Sequence, residues 1–280
     1  MTDFGPRMEP YSVLAPGVRR IVAPNPSMMT GPGTNTYLFG DVEVAVLDPG
    51  PKIDRHLDDI IDKAGAPIRW IIASHTHPDH SPGVMPLAER TGAEVLGMPA
   101  PDGFHQDMSF APTRQLRHAD TLKTAEFRLE VIHTPGHASN HLCFRHDGTN
   151  WIFTGDHVID GSTVVINPPD GNMKQYIDSL RRLKIYEPVR LAPGHGELID
   201  DPNAVIDWII AHRLEREEKV LKALKAQPRH TARELVPHVY RDVDEKLYGW
   251  AERSLLAHLV KLDEDGVAVQ DEDDRWSVLE

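Results

Sequence analysis

Short apolar runs recur along the chain, and most end abruptly in a small or polar residue. Trp70-Ile71-Ile72-Ala73 and Trp151-Ile152-Phe153 are such runs, Phe127–Ile132 alternates apolar with polar residues, and Val189-Arg190-Leu191-Ala192 is a further short strand candidate. Their length and their β-branched and aromatic members predict buried strands. Residues 11–23 add a strand or two with a turn at Ala15-Pro16-Gly17. Thr36–Gly40 and Val42–Leu47 read as a hairpin turning at Gly40-Asp41, and Ala93–Gly97 and Leu142–Phe144 as further strands. Between them the apolar period becomes that of a helix. Residues 54–63 place Leu57, Ile60 and Ile61 on one face, and residues 173–184 place Met173, Ile177 and Leu180 on one. A helix over 83–91 is predicted behind Ser81 as its cap and Pro82 in its first turn. Strands alternating with helices predict an α/β layer fold. Pro24 to Asn35 is rich in Pro, Gly, Asn and Met and reads as a surface loop. In it Met28 and Met29 read as flexible loop packing, with the lining of a substrate entrance as the other use. Residues 98–118 read as irregular, with Phe104 and His105 as candidate rim residues.

From Asp201 onward the pattern is almost wholly helical. Asp201-Pro202 opens a helix to about 226, with Ile206, Ile210, Leu214, Leu221 and Leu224 at helical spacing. Gln227-Pro228 stops it, and Thr231-Ala232-Arg233-Glu234 is a capping box for the next helix. A short helix near 243–249 and one over 251–263, with Leu255, Leu259 and Leu262, end at Gly266. Val267–Gln270 and Trp276–Leu279 then read as a hairpin. Two units are predicted: 1–200, and a helical linker with a winged-helix-like domain over 201–280. Such a domain can read nucleic acid, or it can pack, dimerise and wall a site. Asp263-Glu264-Asp265 and Asp271–Asp274 would repel phosphates, which favours packing. The basic run Arg213, Arg216, Lys219, Lys222, Lys225, Arg229 and Arg233 reads as a solvated face that could also guide an anionic substrate.

Composition narrows the classes. With 280 residues, 40% hydrophobic and 26% charged, the chain reads as an ordinary globular protein of one large domain or two. No signal-peptide core and no membrane-spanning run are visible, so a cytoplasmic location is expected. One cysteine, Cys143, excludes an internal disulfide, fits a reducing compartment, and sits where a buried strand position is expected. A net charge of −13 argues against a general grip on nucleic acid. Bound metal ions would reverse the sign locally.

The chemistry lies just past the strand ends. After Trp70–Ala73 comes Ser74-His75-Thr76-His77-Pro78-Asp79-His80. His75 and His77 are two apart, so an extended segment projects both imidazoles to one side. His137 follows a Pro-Gly turn, Asp156 follows Trp151–Gly155, and His195 stands between glycines after Val189–Pro193. His75, His77, Asp79, His80, His137, Asp156 and His195 make seven donors suited to zinc and similar ions. A single catalytic zinc takes three protein ligands, so seven donors fit two ions sharing a carboxylate.

These residues carry a resemblance. The run at 75–80, Thr134-Pro135-Gly136-His137, Thr154-Gly155-Asp156 and Pro193-Gly194-His195-Gly196 resemble the metallo-β-lactamase superfamily. Gly33-Thr34-Asn35-Thr36-Tyr37-Leu38, Ser81-Pro82-Gly83 and the tail resemble its beta-lactamase-like protein 2 group. The likeness spans roughly residues 15–265 and implies an αββα sandwich followed by a small, mainly α, winged-helix-like domain. It implies His75, His77 and His137 on a first metal, Asp79, His80 and His195 on a second, and Asp156 bridging. Asp48 would orient ligand histidines. His141 is implied to be structural, and His133 and His157 read as strand-packing or surface residues. Antibiotic-degrading members usually carry cysteine where Asp156 stands and are exported, so β-lactamase activity is not expected. RNA-processing members with a large cap domain need a long insertion, which the 39-position step from Asp156 to His195 excludes.

The resulting expectation is a dinuclear metal-dependent hydrolase using a metal-bridging hydroxide. Asp79 would be its catalytic residue, orienting the water and accepting its proton. Two Zn²⁺ are expected, with iron or manganese as alternatives. The expected partner is a small molecule with an ester-type bond: ester, lactone or thioester. A single-stranded RNA endonuclease is the alternative, carried by the group resemblance. A non-catalytic regulatory or binding protein acting through the tail is the alternative of another class. No membrane partner is expected, and a homodimer through the tail is a further expectation.

Overall fold

Two β-sheets stack face to face in the computed structural model, which describes residues 8–103, 105–241 and 243–279. In the first sheet β1 (Tyr11–Ala15), β2 (Val18–Val22), β3 (Asn35–Phe39) and β4 (Val44–Leu47) form an antiparallel meander. The strands β5 (Ile68–Ile72), β6 (Glu94–Gly97) and β7 (Arg114–Gln115) continue it in parallel. The second sheet holds β8 (Thr121–Lys123), β9 (Arg128–His133), β10 (Leu142–His146) and β11 (Trp151–Gly155) antiparallel, with β12 (Arg190–Pro193) parallel to β11. The facing surfaces bury Phe39, Leu47, Ile72, Leu129, Phe144 and Phe153. Tyr37 meets Phe153 edge-on at 4.8 Å, the geometry that the ring quadrupoles favour.

Helices cover the outer faces. Here α1 (Asp54–Ala64) and α2 (Val84–Thr91) bury Leu57, Ile60 and Leu87 against Val46 and Ile71 of the first sheet. On the other side α3 (Met173–Ile185) and the start of α4 (Pro202–Ala226) bury Met173, Ile177, Leu180, Ile206 and Ile209 against Ile132 and Ile152. The central strands are therefore apolar on both faces, which is why Trp151–Phe153 reads as a continuous apolar run rather than an alternating one. The architecture is αββα.

The tail has its own core. The rest of α4, α5 (Ala232–Val239), a 3-10 turn (Glu245–Leu247), α6 (Tyr248–Glu264) and the hairpin of β13 (Ala268–Gln270) and β14 (Trp276–Val278) enclose Val220, Leu235, Leu255, Leu259 and Trp276. The capping box closes in both directions, Thr231 accepting from Glu234 N and Glu234 from Thr231 N. This winged-helix unit is bolted to the sandwich. Ala257 of α6 packs in the core outside the second sheet, and Asn172 Nδ2 donates to Glu264 Oε1 at 2.6 Å. Among the described residues no helix is long and apolar enough to cross a membrane.

Several local expectations change. Ser81 does not cap α2: its hydroxyl donates to Asp107 Oδ2, and the helix begins at Val84 behind Gly83. Ile61 is exposed, because the buried face of α1 runs through His56, Leu57, Ile60 and Ala64. On α4 the buried face passes through Ile209 and Arg213 and leaves Leu214 exposed. Arg213 leaves the solvated basic run because its guanidinium lies over the Tyr176 ring and donates to the Val164 carbonyl. The stretch 98–118 contributes β7, and the last long helix starts at Tyr248 rather than 251. Phe104 lies outside the described residues.

Candidate metal centre

The seven donors come together at one edge of the sandwich, past the ends of β5, β9, β11 and β12, in two groups. In the first, His77 Nδ1 stands 3.0 Å from both His75 Nε2 and His137 Nε2. One ring nitrogen has at most one proton, so it cannot hydrogen-bond to both. Burial pushes all three pKa values down, His77 to about 3. At neutral pH these are three neutral imidazoles whose lone pairs converge on one point.

In the second group His195 Nε2 lies 3.1 Å from Asp79 Oδ2, and His80 Nε2 lies 3.6 Å from it. Asp156 stands between the groups. Its Oδ1 is 3.2 Å from His80 Nε2 and 3.3 Å from His195 Nε2, while its Oδ2 is 3.7 Å from His137 Nε2. Burial disfavours the charged forms, yet the mutual attraction wins. Asp156 is held well below the usual carboxylate range, and His195 rises to about 9. His80 Nε2, His195 Nε2 and Asp156 Oδ1 are nonetheless buried without an aligned hydrogen bond. Orphaned buried polar atoms are costly, and converging nitrogens and oxygens of this kind match the donor set of divalent zinc-like ions. The residues therefore fit a pair of metal ions.

The far sides of the rings are held as ligands need to be. His137 Nδ1 donates to the Val165 carbonyl at 2.8 Å, and His195 Nδ1 to Gly33 O at 3.2 Å. Asp48 accepts from Ser74 N, from Ser74 Oγ and from His80 Nδ1. Since Ser74 Oγ gives its proton to Asp48, it accepts one from His75 Nδ1, 3.0 Å away. One carboxylate thus orients a histidine in each group.

A comparison with known proteins decides the family. Residues 29–195 match the model of the metallo-beta-lactamase superfamily, and residues 231–276 that of the beta-lactamase associated winged helix domain. The chain belongs to the metallo-β-lactamase superfamily.

Within the superfamily it is similar to a beta-lactamase-like protein 2 homolog of Drosophila melanogaster, 32% identical with 90% of each chain covered. It is 28% identical to a protein of Aspergillus fumigatus named atrochrysone carboxyl ACP thioesterase, covering 79% of this chain and 69% of that one. A beta-lactamase domain protein from Burkholderia ambifaria has the same fold: TM-score 0.82, 22% identity, 96% of this chain and 93% of that one covered. The chain is accordingly a superfamily hydrolase, which displaces the reading of a non-catalytic protein.

Other residues of this superfamily fold take supporting places. His141 is buried behind the site, where its Nε2 accepts from Asp156 N at 3.1 Å. His157 is fully buried in the core beside Tyr176, which removes it from the surface. His133 donates from Nε2 to Ser139 O. Burial pushes the Cys143 thiol up to about 12, so it is no nucleophile.

A cavity of about 530 Å³ opens over four of the candidate donors, His77, Asp79, His137 and Asp156, with His105 on its wall. A second mouth of about 400 Å³ reaches His195. Met28 and Met29 are 76% and 50% exposed and line these mouths. Ser74, the carbonyls of Gly33 and Val165, and Trp250 and Arg253 of the cavity wall were not legible as site residues. Only Ser74, adjacent to the histidine run, carried a positional signal.

Proposed function

We propose that the chain is a dinuclear zinc hydrolase of an ester-type bond, with a thioester as the leading substrate class. The observation that carries this is Asp156, placed between a neutral three-histidine group and a His/Asp group with one oxygen toward each. Two ions held by His75, His77, His137, Asp79, His80, His195 and Asp156 would supply an activated water and a Lewis acid for the substrate carbonyl oxygen. Asp79 is the acid of the cluster most open to the cavity, its side chain 26% exposed. It orients the water and accepts its proton. The scissile carbon–sulfur bond gives way to a carbon–oxygen bond, and the thiolate leaves. Met29, Val165 and Trp250 provide apolar wall for an acyl chain. The relative named a thioesterase supports that choice over lactones and simple esters.

A second reading, cleavage of single-stranded RNA, has one observation in its favour. A tail cleft is lined by Lys219, Lys222 and Arg241, groups that suit phosphates. The experiment that separates the readings compares rates on zinc-loaded protein for thioesters, lactones, aryl esters and a short single-stranded RNA, with Asp79→Ala as blank. Turnover confined to carbonyl substrates is expected. RNA cleavage that vanishes in Asp79→Ala would replace the thioesterase reading.

A further inference from the structure

The cavity over the metal centre is not walled by the sandwich alone. Trp250 and Arg253 of α6, in the winged-helix unit, line it together with His77, Asp79 and His137. Arg253 stands one helical turn before Ala257, whose side chain is packed outside the second sheet. Residues four apart share a helix face, so the face of α6 that docks the tail also brings Arg253 to the cavity. The far end of the helix is fixed by Asn172–Glu264 and by Lys174 Nζ, 2.5 Å from Asp265 Oδ1.

The Arg253 guanidinium lies 5.0 Å from the centre of the Trp250 ring and has no ion pair among the described residues. It is also the one lysine or arginine among the described residues lining either mouth of the cavity. The carboxylates in the wall are otherwise engaged. Asp79 and Asp156 belong to the metal cluster, and Asp170 accepts from Ser139 N and Gln106 Nε2. No described residue therefore supplies an anion to this arginine, in a chain whose net charge is −13.

We propose that Arg253 is the selectivity residue of the site, binding a carboxylate or phosphate that the substrate carries away from the bond being cut. The proposal rests on the hydrolase reading above for its substrate. A guanidinium offers a planar fork of donors that matches either anion, and stacking on Trp250 holds that fork flat at little entropic cost. The tail would then choose the substrate while the sandwich cuts it.

The anion has two sources, the acyl part or the thiol carrier, and four thioesters separate them. Butyryl and glutaryl groups are each joined to N-acetylcysteamine, which is uncharged, and to coenzyme A, which carries phosphates. Rates are measured on zinc-loaded full-length protein, Arg253→Ala and Arg253→Lys. If the acyl carboxylate is bound, Arg253→Ala lowers the glutaryl-over-butyryl preference at least tenfold, through KM, and Arg253→Lys restores part of it. If the carrier phosphate is bound, the coenzyme A preference falls instead. An equal loss on all four, or no loss on any, overturns the proposal. Calorimetric titration of the same proteins with glutarate and with inorganic phosphate gives an independent reading. At least one anion should bind fivefold more weakly to Arg253→Ala. If the wild type cleaves none of the thioesters, the thioesterase reading fails, and identical dissociation constants for both anions in the two proteins would overturn the role of Arg253 by themselves.

Discussion

Asp48 Oδ2 stands 3.0 Å from His80 Nδ1, and the same carboxylate takes the Ser74 hydroxyl proton that leaves Ser74 free to hold His75. A residue that touches no reacting atom thus fixes a histidine in each donor group. Asp48→Ala should weaken metal binding about 10- to 100-fold, the usual effect of losing such a partner. Competition with a chelator measures it, and circular dichroism should show the fold retained. Unchanged metal affinity would remove Asp48 from the account.

Gly136 sets the turn that presents His137. Its φ of +142° and the Tyr176 Cα pressed against it leave no room for a Cβ, because the obstacle is backbone. Gly136→Ala should cost on the order of 2 kcal/mol or more in urea unfolding and lower metal content. A variant as stable and as metal-loaded as the wild type would contradict this.

Gly194 closes the centre from the other side. A Cβ there would lie 2.8 Å from Asp156 Oδ1 and from His80 Cε1. Gly194→Ala should reduce metal loading more than it reduces stability, since the clash falls on the donors themselves. Equal metal content by elemental analysis would refute it.

Away from the centre, His56 is buried on the inner face of α1, and burial lowers its pKa to about 4. Its Nε2 donates to Thr36 Oγ1, whose proton goes to the Asp48 carbonyl, and burial keeps the ring neutral in the folded chain at neutral pH. Below pH 6.5 the unfolded chain takes up a proton that the folded chain refuses until about pH 4. The stability that the neutral ring provides is therefore complete above pH 6.5 and lost as pH falls, by about 1.4 kcal/mol per unit. The unfolding free energy of the wild type minus that of His56→Gln should fall by about 2 kcal/mol between pH 6.5 and 5. A difference that does not change with pH would rule this out.

Much of this was legible because the chemistry is local. The run from His75 to His80 carries its own spacing, and His137, Asp156 and His195 each follow an apolar strand through a small or glycine-flanked position. The alternation of strand and helix periods predicted a layered α/β fold, and the family resemblance implied its αββα order. What escaped was decided by distant neighbours. Arg213 reads as a solvated base until Tyr176 and Val164 are seen to cover it. Ser81 has a cap's identity, but Asp107 takes its hydroxyl. Trp250 and Arg253 reach the cavity only because α6 docks on the second sheet, and no local pattern encodes that contact.

The central claim is that Asp156 joins two metal ions in one hydrolytic centre. The most direct measurement is zinc stoichiometry by elemental analysis, alongside thioester turnover, as metal-free protein and Asp156→Ala are titrated with zinc. The account predicts two zinc ions per chain in the wild type with turnover rising as both load, and at most one tightly held ion with turnover at least 100-fold lower in Asp156→Ala. A single ion per chain at saturation, or an Asp156→Ala protein that binds two and turns over normally, would contradict it.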